Sequence, residues 1–316
     1  LCLYPFQNDS LPLAQFDLTS HLGTTEKFPE ADIEGAARLG SRIYWITSHG
    51  RNLDGKPRPN RYRFFATDLQ PNDGSWTITP AGSPCSTLVQ AMLQTPALQP
   101  LHLDRATQLD KPNLTKKQLK KLAPKKDGLN IEALAASPDQ PDQPDQPVLY
   151  IGFRNPLIPD PKTGRLQALV IPLQNFQQVI EQQAPPQFGQ PLLWDLDRRG
   201  LRCLEYSPCH KCFFLIAGPR DDETGFDLYR WDGNPGSQPA KIPLTFNTPG
   251  FAPEAILLFD DRPDLYLLSD DGSRIIQLTS PSQCKKGDLL PGNRCQNKHL
   301  LNPSQKSFRA LRLTLP

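Results

Sequence analysis

Four glutamates, Glu34, Glu132, Glu205 and Glu254, each sit in a short apolar run that recurs along the chain. The clearest copy is Asp32-Ile33-Glu34-Gly35-Ala36-Ala37. Its echoes are Gly128-Leu129-Asn130-Ile131-Glu132-Ala133-Leu134-Ala135, Gly200-Leu201-Arg202-Cys203-Leu204-Glu205-Tyr206 and Gly250-Phe251-Ala252-Pro253-Glu254-Ala255-Ile256. If the copies are equivalent strands of one ring, the carboxylates converge, and converged carboxylates repel and are costly to bury without a partner. Three remedies exist. A hard divalent cation such as Ca²⁺ takes about six to eight oxygen ligands, which would make the four glutamates its ligand set. Cationic side chains can neutralise the charge instead. Backbone amides of a neighbouring unit can also donate to each carboxylate, in which case the glutamates tie strands together and bind nothing.

A second group of residues lies where each following strand ends: Ser48-His49-Gly50-Arg51, Arg154-Asn155, Pro219-Arg220-Asp221 and Asp270-Asp271. These ends are expected around the same channel mouth. A mouth with carboxylates, one histidine and three arginines suits an anionic substrate such as a phosphoester. A metal would polarise the ester oxygen, while Arg51, Arg154 and Arg220 would stabilise developing charge. His49 is the candidate acid or base, since an imidazole titrates near neutrality; a lone histidine after a strand is more often an ordinary loop residue. No nucleophile elbow, phosphate loop or triad order is present. Cys209-His210-Lys211-Cys212 lacks the order of a haem attachment, and a zinc site would need further ligands, so a disulfide or inert thiols are expected there.

The elements that must position these groups are strands. After each glutamate copy comes a very apolar run with an aromatic near its start: Ile43-Tyr44-Trp45-Ile46, Leu149-Tyr150-Ile151-Gly152, Phe213-Phe214-Leu215-Ile216 and Leu265-Tyr266-Leu267-Leu268. Further strands are expected at 61–68, 75–79, 166–173, 226–231, 241–246 and around Leu192 and Leu311, separated by Gly, Asn, Asp and Pro. Most of the 35 prolines fall between these runs rather than inside them, which fits short strands on stiff loops and not a helical protein. The fold class expected is all-β, a single β-propeller domain over 1–316 with four recognisable blades; a fifth could hide in 85–126. Two insertions interrupt it. Residues 85–126 turn helical, with Leu88, Val89, Met92 and Leu93 on one face and a lysine-rich helix at 115–122. Residues 139–147 repeat Asp-Gln-Pro as a low-complexity loop. The strand around Phe16 is expected to pair with the strand around Leu311 and close the ring with both chain ends.

With these motifs in view, the chain resembles a bacterial propeller family, common in cyanobacteria and catalogued only as a domain of unknown function. That family is similar in turn to the propellers named for an esterase-like activity of phytase. The resemblance rests on Asp32-Ile33-Glu34-Gly35, Ser48-His49-Gly50, Gly128-Leu129-Asn130-Ile131-Glu132-Ala133-Leu134 and Ser269-Asp270-Asp271-Gly272. It covers most of the chain outside the two insertions. It implies a β-propeller and no established substrate.

Composition narrows the partners. Lys+Arg 35 against Asp+Glu 33 gives no general attraction to nucleic acid or to a membrane surface. No apolar run is long enough to span a bilayer, so a soluble protein is expected. The chain begins with Leu1 and its one methionine is Met92, which reads as a processed or trimmed chain. Cys284 and Cys295 share a Gly-, Pro- and Lys-rich loop and are expected to form a disulfide, which favours a periplasmic or secreted protein. Two functions remain in play. One is a divalent-metal-dependent hydrolase of phosphoesters or other anionic esters at the channel mouth. The alternative is a non-catalytic scaffold that meets a protein partner through its insertions.

Overall fold

The computed structural model describes residues 1–316 except 5–11, 74, 110, 112, 138–146, 222–224, 245–248 and 316. Most of the Asp-Gln-Pro stretch expected as a loop at 139–147 therefore lies outside the described residues, as does the end of the strand expected at 241–246. Four antiparallel sheets form a four-bladed β-propeller. Blade one comprises Ile33–Leu39, Arg42–Thr47, Phe64–Asn72 and Ser75–Cys85, hydrogen-bonded in that order. Blade two is built from Asn130–Ala136, Leu149–Asn155, Leu166–Leu173 and Leu192–Trp194, and blade three from Gly200–Ser207, Cys212–Gly218, Asp227–Trp231 and Ala240–Ile242. Blade four has three described strands, Pro253–Phe259, Arg262–Ser269 and Ala310–Thr314.

The apolar runs chosen from the sequence are the second strands, and their hydrophobicity has a simple cause. Leu149–Asn155 and Cys212–Gly218 are buried at every residue, because each lies inside its sheet with neighbouring layers on both faces. The outer strands of blades two and three are three residues each, and Ala310–Thr314 alternates in exposure, which limits edge pairing there. The core divides into wedges between blades. Tyr44, Phe64, Ile151 and Phe153 fill the first, together with Leu88, Val89 and Met92 of the helix Leu88–Gln94. Tyr150, Trp194, Phe213 and Trp231 meet edge-on or tilted in the second, with ring centroids 4.9–5.6 Å apart. Phe214, Ile216, Ile256, Leu265 and Leu267 make the third. The innermost strands pack on one another in the same order, Ile33–Leu39 on Asn130–Ala136, then Gly200–Ser207, then Pro253–Phe259.

The pairing expected between the Phe16 stretch and the Leu311 strand is not among the described strand pairs. Ala14–Gln15 pairs with Cys2–Leu3, and Ala310–Thr314 pairs with Arg262–Ser269. The reason is hydrophobic: Leu18 and Leu22 pack on Phe65 and Trp45, so the N-terminal stretch covers the remaining face of blade one. Between Ser75–Cys85 and Asn130–Ala136 the described residues form helices and no strand, so this stretch adds no fifth blade. Its lysine-rich helix Lys116–Lys121 is capped by reciprocal Thr115 and Gln118 hydrogen bonds and buries no residue, so its lysines are solvated. Among the described residues no helix is long and apolar enough to cross a membrane.

Residues 270–309 interrupt blade four with a small unit of their own. Its hairpin, Ile275–Gln277 with Arg294–Gln296, carries the Cys284–Cys295 disulfide over Leu278 and Leu300. Asp271 closes the base of this loop. Its carboxylate accepts from the Arg309 amide at 2.9 Å, Arg309 Nε at 2.8 Å and Nη2 at 2.6 Å, and from Ser269 Oγ at 3.0 Å. The Arg309 guanidinium first, with the hydrogen bonds from Ser269 and the Arg309 backbone, holds the Asp271 carboxyl below its usual range. Asp271 therefore ties down an insertion and does not face the channel. We expect Cys295→Ala to lower stability by about 2–3 kcal/mol through the loop entropy regained on unfolding. Urea titration checks the figure, and non-reducing peptide mapping of the parent should recover the cross-linked pair.

Candidate functional site

The innermost strands carry one irregularity in common. In blade one the register with the second strand jumps between Ile33 and Gly35, in blade two between Ile131 and Ala133, and in blade four between Pro253 and Ala255. The bulged residues are Glu34, Glu132 and Glu254. A bulge leaves its residue out of the ladder and re-aims the side chain, which is how these strands turn a carboxylate toward the axis. Blade three jumps between Leu201 and Cys203, so its equivalent residue is Arg202 and not Glu205. The site is thus three glutamates and one arginine. Each bulged residue follows Ile, Leu or Pro and precedes Gly, Ala or Cys, and this local signal would have aligned the repeat on Arg202.

Arg202 neutralises the cluster. Its Nη1 lies 2.9 Å from Glu132 Oε2, and its Nη2 pairs with Glu254 Oε1. Glu132 is gripped from a second side by Arg154 Nη1 at 3.0 Å and Asn130 Nδ2 at 2.6 Å. Arg154 also donates through Nε to the Pro219 carbonyl and through Nη2 to the Asp221 carbonyl, crossing from blade two to blade three. Glycine lets the Arg154 backbone and the Arg202 side-chain stem pass close to blade three. A Cβ on Gly200 would lie 2.1 Å from the Arg154 carbonyl oxygen, and one on Gly218 would lie 2.7 Å from Arg202 Cγ. Of the three remedies for gathered carboxylates, arginine is the one seen here. A divalent cation at the axis would have to displace Arg202 from Glu132 and Glu254, and among the described residues no three Asp, Glu, His or Cys are placed to hold a metal ion.

Glu34 differs from its counterparts. It makes no ion pair or hydrogen bond with the described residues and opens into a cavity of about 630 Å³. Glu34 is exposed to the cavity, yet the walls of the mouth strip much of the water around it; this desolvation first, then the carboxylates of Glu132, Asp32 and Glu254, push its pKa up to about 9, with Arg202 opposing. The same wall holds Asp32, in a left-handed backbone conformation (φ 61°), paired with Arg61 at 2.9 Å. Burial also raises the Asp32 pKa, against the opposing pull of its Ser48 hydrogen bond and Arg61. Glu254 is raised by burial too, with Arg202 opposing.

The remaining sequence candidates disperse. Glu205 lies farther along its strand on the face shared with Cys203, makes no hydrogen bond or ion pair with the described residues, and has its pKa pushed up to about 8 by burial. His49 is 1 % exposed; its Nδ1 lies 2.8 Å from the Thr47 carbonyl, its ring meets Tyr62 edge-on, and burial lowers its pKa to about 4. It does not line the cavity. Arg51 turns into the fold, donating to the carbonyls of Gly55 and Thr107, and so fastens the helical insertion to blade one. Arg220 is exposed on its loop. Only Arg154 of these four reaches the cavity wall. The direction of a side chain at a strand end depends on loop conformation that no periodicity encodes. Cys203, Cys209 and Cys212 are free thiols, and His210 Nδ1 lies 3.0 Å from Ser207 Oγ, so the hairpin tip holds no metal-ligand set.

No protein-family model matches the chain, and no curated protein matches it.

Proposed function

We propose that the propeller binds a small anionic ester at its channel mouth and hydrolyses it with Glu34 as the proton donor. One observation carries this reading. Glu34 is the bulge carboxylate without a guanidinium partner among the described residues and it lines the cavity, where the desolvating walls and the neighbouring carboxylates push its pKa up to about 9. A carboxyl kept neutral at pH 7 can donate to a leaving oxygen, the role first assigned to His49. Water supplies the hydroxyl that replaces the leaving alkoxide, Glu34 protonates that alkoxide, and the proton lost by the water returns to Glu34 through solvent. Glu132, fixed by Arg154 and Arg202, forms the rigid opposite wall. The disulfide is compatible with an oxidising compartment, periplasmic or external.

Assay of the full chain against phosphomonoesters and carboxylic esters tests the reading. For the hydrolysed substrate, Glu34→Gln should lower kcat by about 10²–10⁴-fold with KM little changed, the range typical of removing a general acid. Wild-type kcat should fall as pH rises through about 9, where Glu34 loses its proton. Ca²⁺ or chelator should leave the melting temperature unchanged, because Arg202 already occupies the carboxylates a cation would need. The scaffold reading draws support from the disulfide-tied insertion at 270–309. It becomes the better account if no ester is hydrolysed and no small anion binds.

A further inference from the structure

A second cavity of about 230 Å³ adjoins the mouth, and Glu30, Arg58 and Arg61 line both compartments. Lys27, Phe28 and Asn60 complete its wall. Charge is disposed differently in the two. In the larger compartment five carboxylates stand against four cations, and Arg61 is engaged by Glu30 and Asp32, each at 2.9 Å. In the smaller one, Lys27 and Arg58 have no carboxylate partner among the described residues. Their cationic ends lie 5.4 and 5.3 Å from the centre of the Phe28 ring, within cation–π range, and Arg58 Nη1 donates only to the neighbouring Pro57 carbonyl. Asn60 is 5 % exposed, yet its side-chain amide makes no hydrogen bond with the described residues. The atom left unpartnered is Oδ1, a hydrogen-bond acceptor that an anion would not satisfy, so the two cations and not Asn60 set the character of this pocket.

We propose that this side pocket is the anion subsite of the mouth, taking the phosphate or carboxylate end of the ligand between Lys27 and Arg58. This deepens the ester reading and rests on it for the second half of the ligand, whose oxygen meets Glu34. The side pocket favours the anion because Lys27, Arg58 and Arg61 there face one carboxylate, Glu30, whereas the larger compartment sets Glu30, Asp32, Asp54 and Glu132 against its cations. Phe28 keeps the two cations poised without neutralising them.

Thermal shift of the full chain with inorganic phosphate, and separately with acetate, at ionic strength fixed by sodium chloride, tests the subsite. A saturable rise in melting temperature with one of the anions is expected, since a ligand that binds only the folded state stabilises it by mass action. The responding anion tells phosphate from carboxylate. The double variant Lys27→Gln/Arg58→Gln should weaken the apparent affinity tenfold or more. Lys27 is exposed and Arg58 half-buried, so both substitutions leave the core intact; circular dichroism verifies this. No shift with either anion, or a shift that the double variant does not weaken, overturns the subsite. If no ester is hydrolysed but the anion shift is lost in the double variant, the hydrolase reading falls and the subsite stands.

Discussion

Arg202→Met is expected to be the most destabilising single substitution at the mouth, lowering folding stability by about 3–5 kcal/mol. Arg202 is 7 % exposed and bridges Glu132 of blade two to Glu254 of blade four. Methionine matches much of its length but supplies no charge, so two carboxylates at the blade seams lose their shared partner while a third, Glu34, stands nearby. Glu132 would still keep Arg154 and Asn130, and Glu254 would be left with the least compensation. The double variant Arg202→Met/Glu254→Gln should therefore recover part of the loss, because it removes the orphaned charge together with its partner. Chemical denaturation of the two variants measures both steps. A single variant as stable as the parent would show that the arginine does not hold the ring.

Glu205→Gln should stabilise the protein, and increasingly so as pH rises. The folded-state pKa of Glu205 is pushed up to about 8 by burial from its ordinary value of 4.5. Between these two values the folded state binds more protons than the unfolded state, so stability falls as pH increases through that window. Below pH 4.5 both states are protonated and no penalty exists; above about 8 the penalty is complete. Glutamine resembles the neutral acid and escapes it, so the variant should match the parent near pH 4 and exceed it by on the order of 2 kcal/mol at pH 8. Urea midpoints at the two pH values decide the matter. Glu34→Gln should show the same sign over the window from 4.5 to about 9, reduced to roughly 1 kcal/mol because its carboxyl is open to cavity water.

These two residues mark the boundary between what local sequence encodes and what it does not. The number of blades, the second strands, the helix at Leu88–Gln94 and the Cys284–Cys295 bridge were all legible. Each leaves a nearest-neighbour trace: alternation of period two, an uninterrupted apolar run, an i, i+3, i+4 stripe, or two cysteines in one short loop. The gathering of ionisable residues at the axis followed from the repeat alone, because equal placement in each blade forces equal depth in a ring. Which residue of blade three stands at that depth did not. Matching Glu to Glu selected Glu205, whereas the bulge after Leu201 places Arg202 there, three positions earlier. A bulge depends on pairing with a second strand, and it changes the sign of one charge in four. His49 shows the same limit, since a left-handed backbone (φ 50°) turns its ring onto Tyr62 and away from the cavity. The course of the N-terminal stretch, and the meeting of Lys27 with Arg58 across Phe28, were likewise decided in three dimensions. Sequence set which residues are apolar and where the strands break; long-range packing chose which side chains share a wall, because that choice is made between segments that carry no local record of one another.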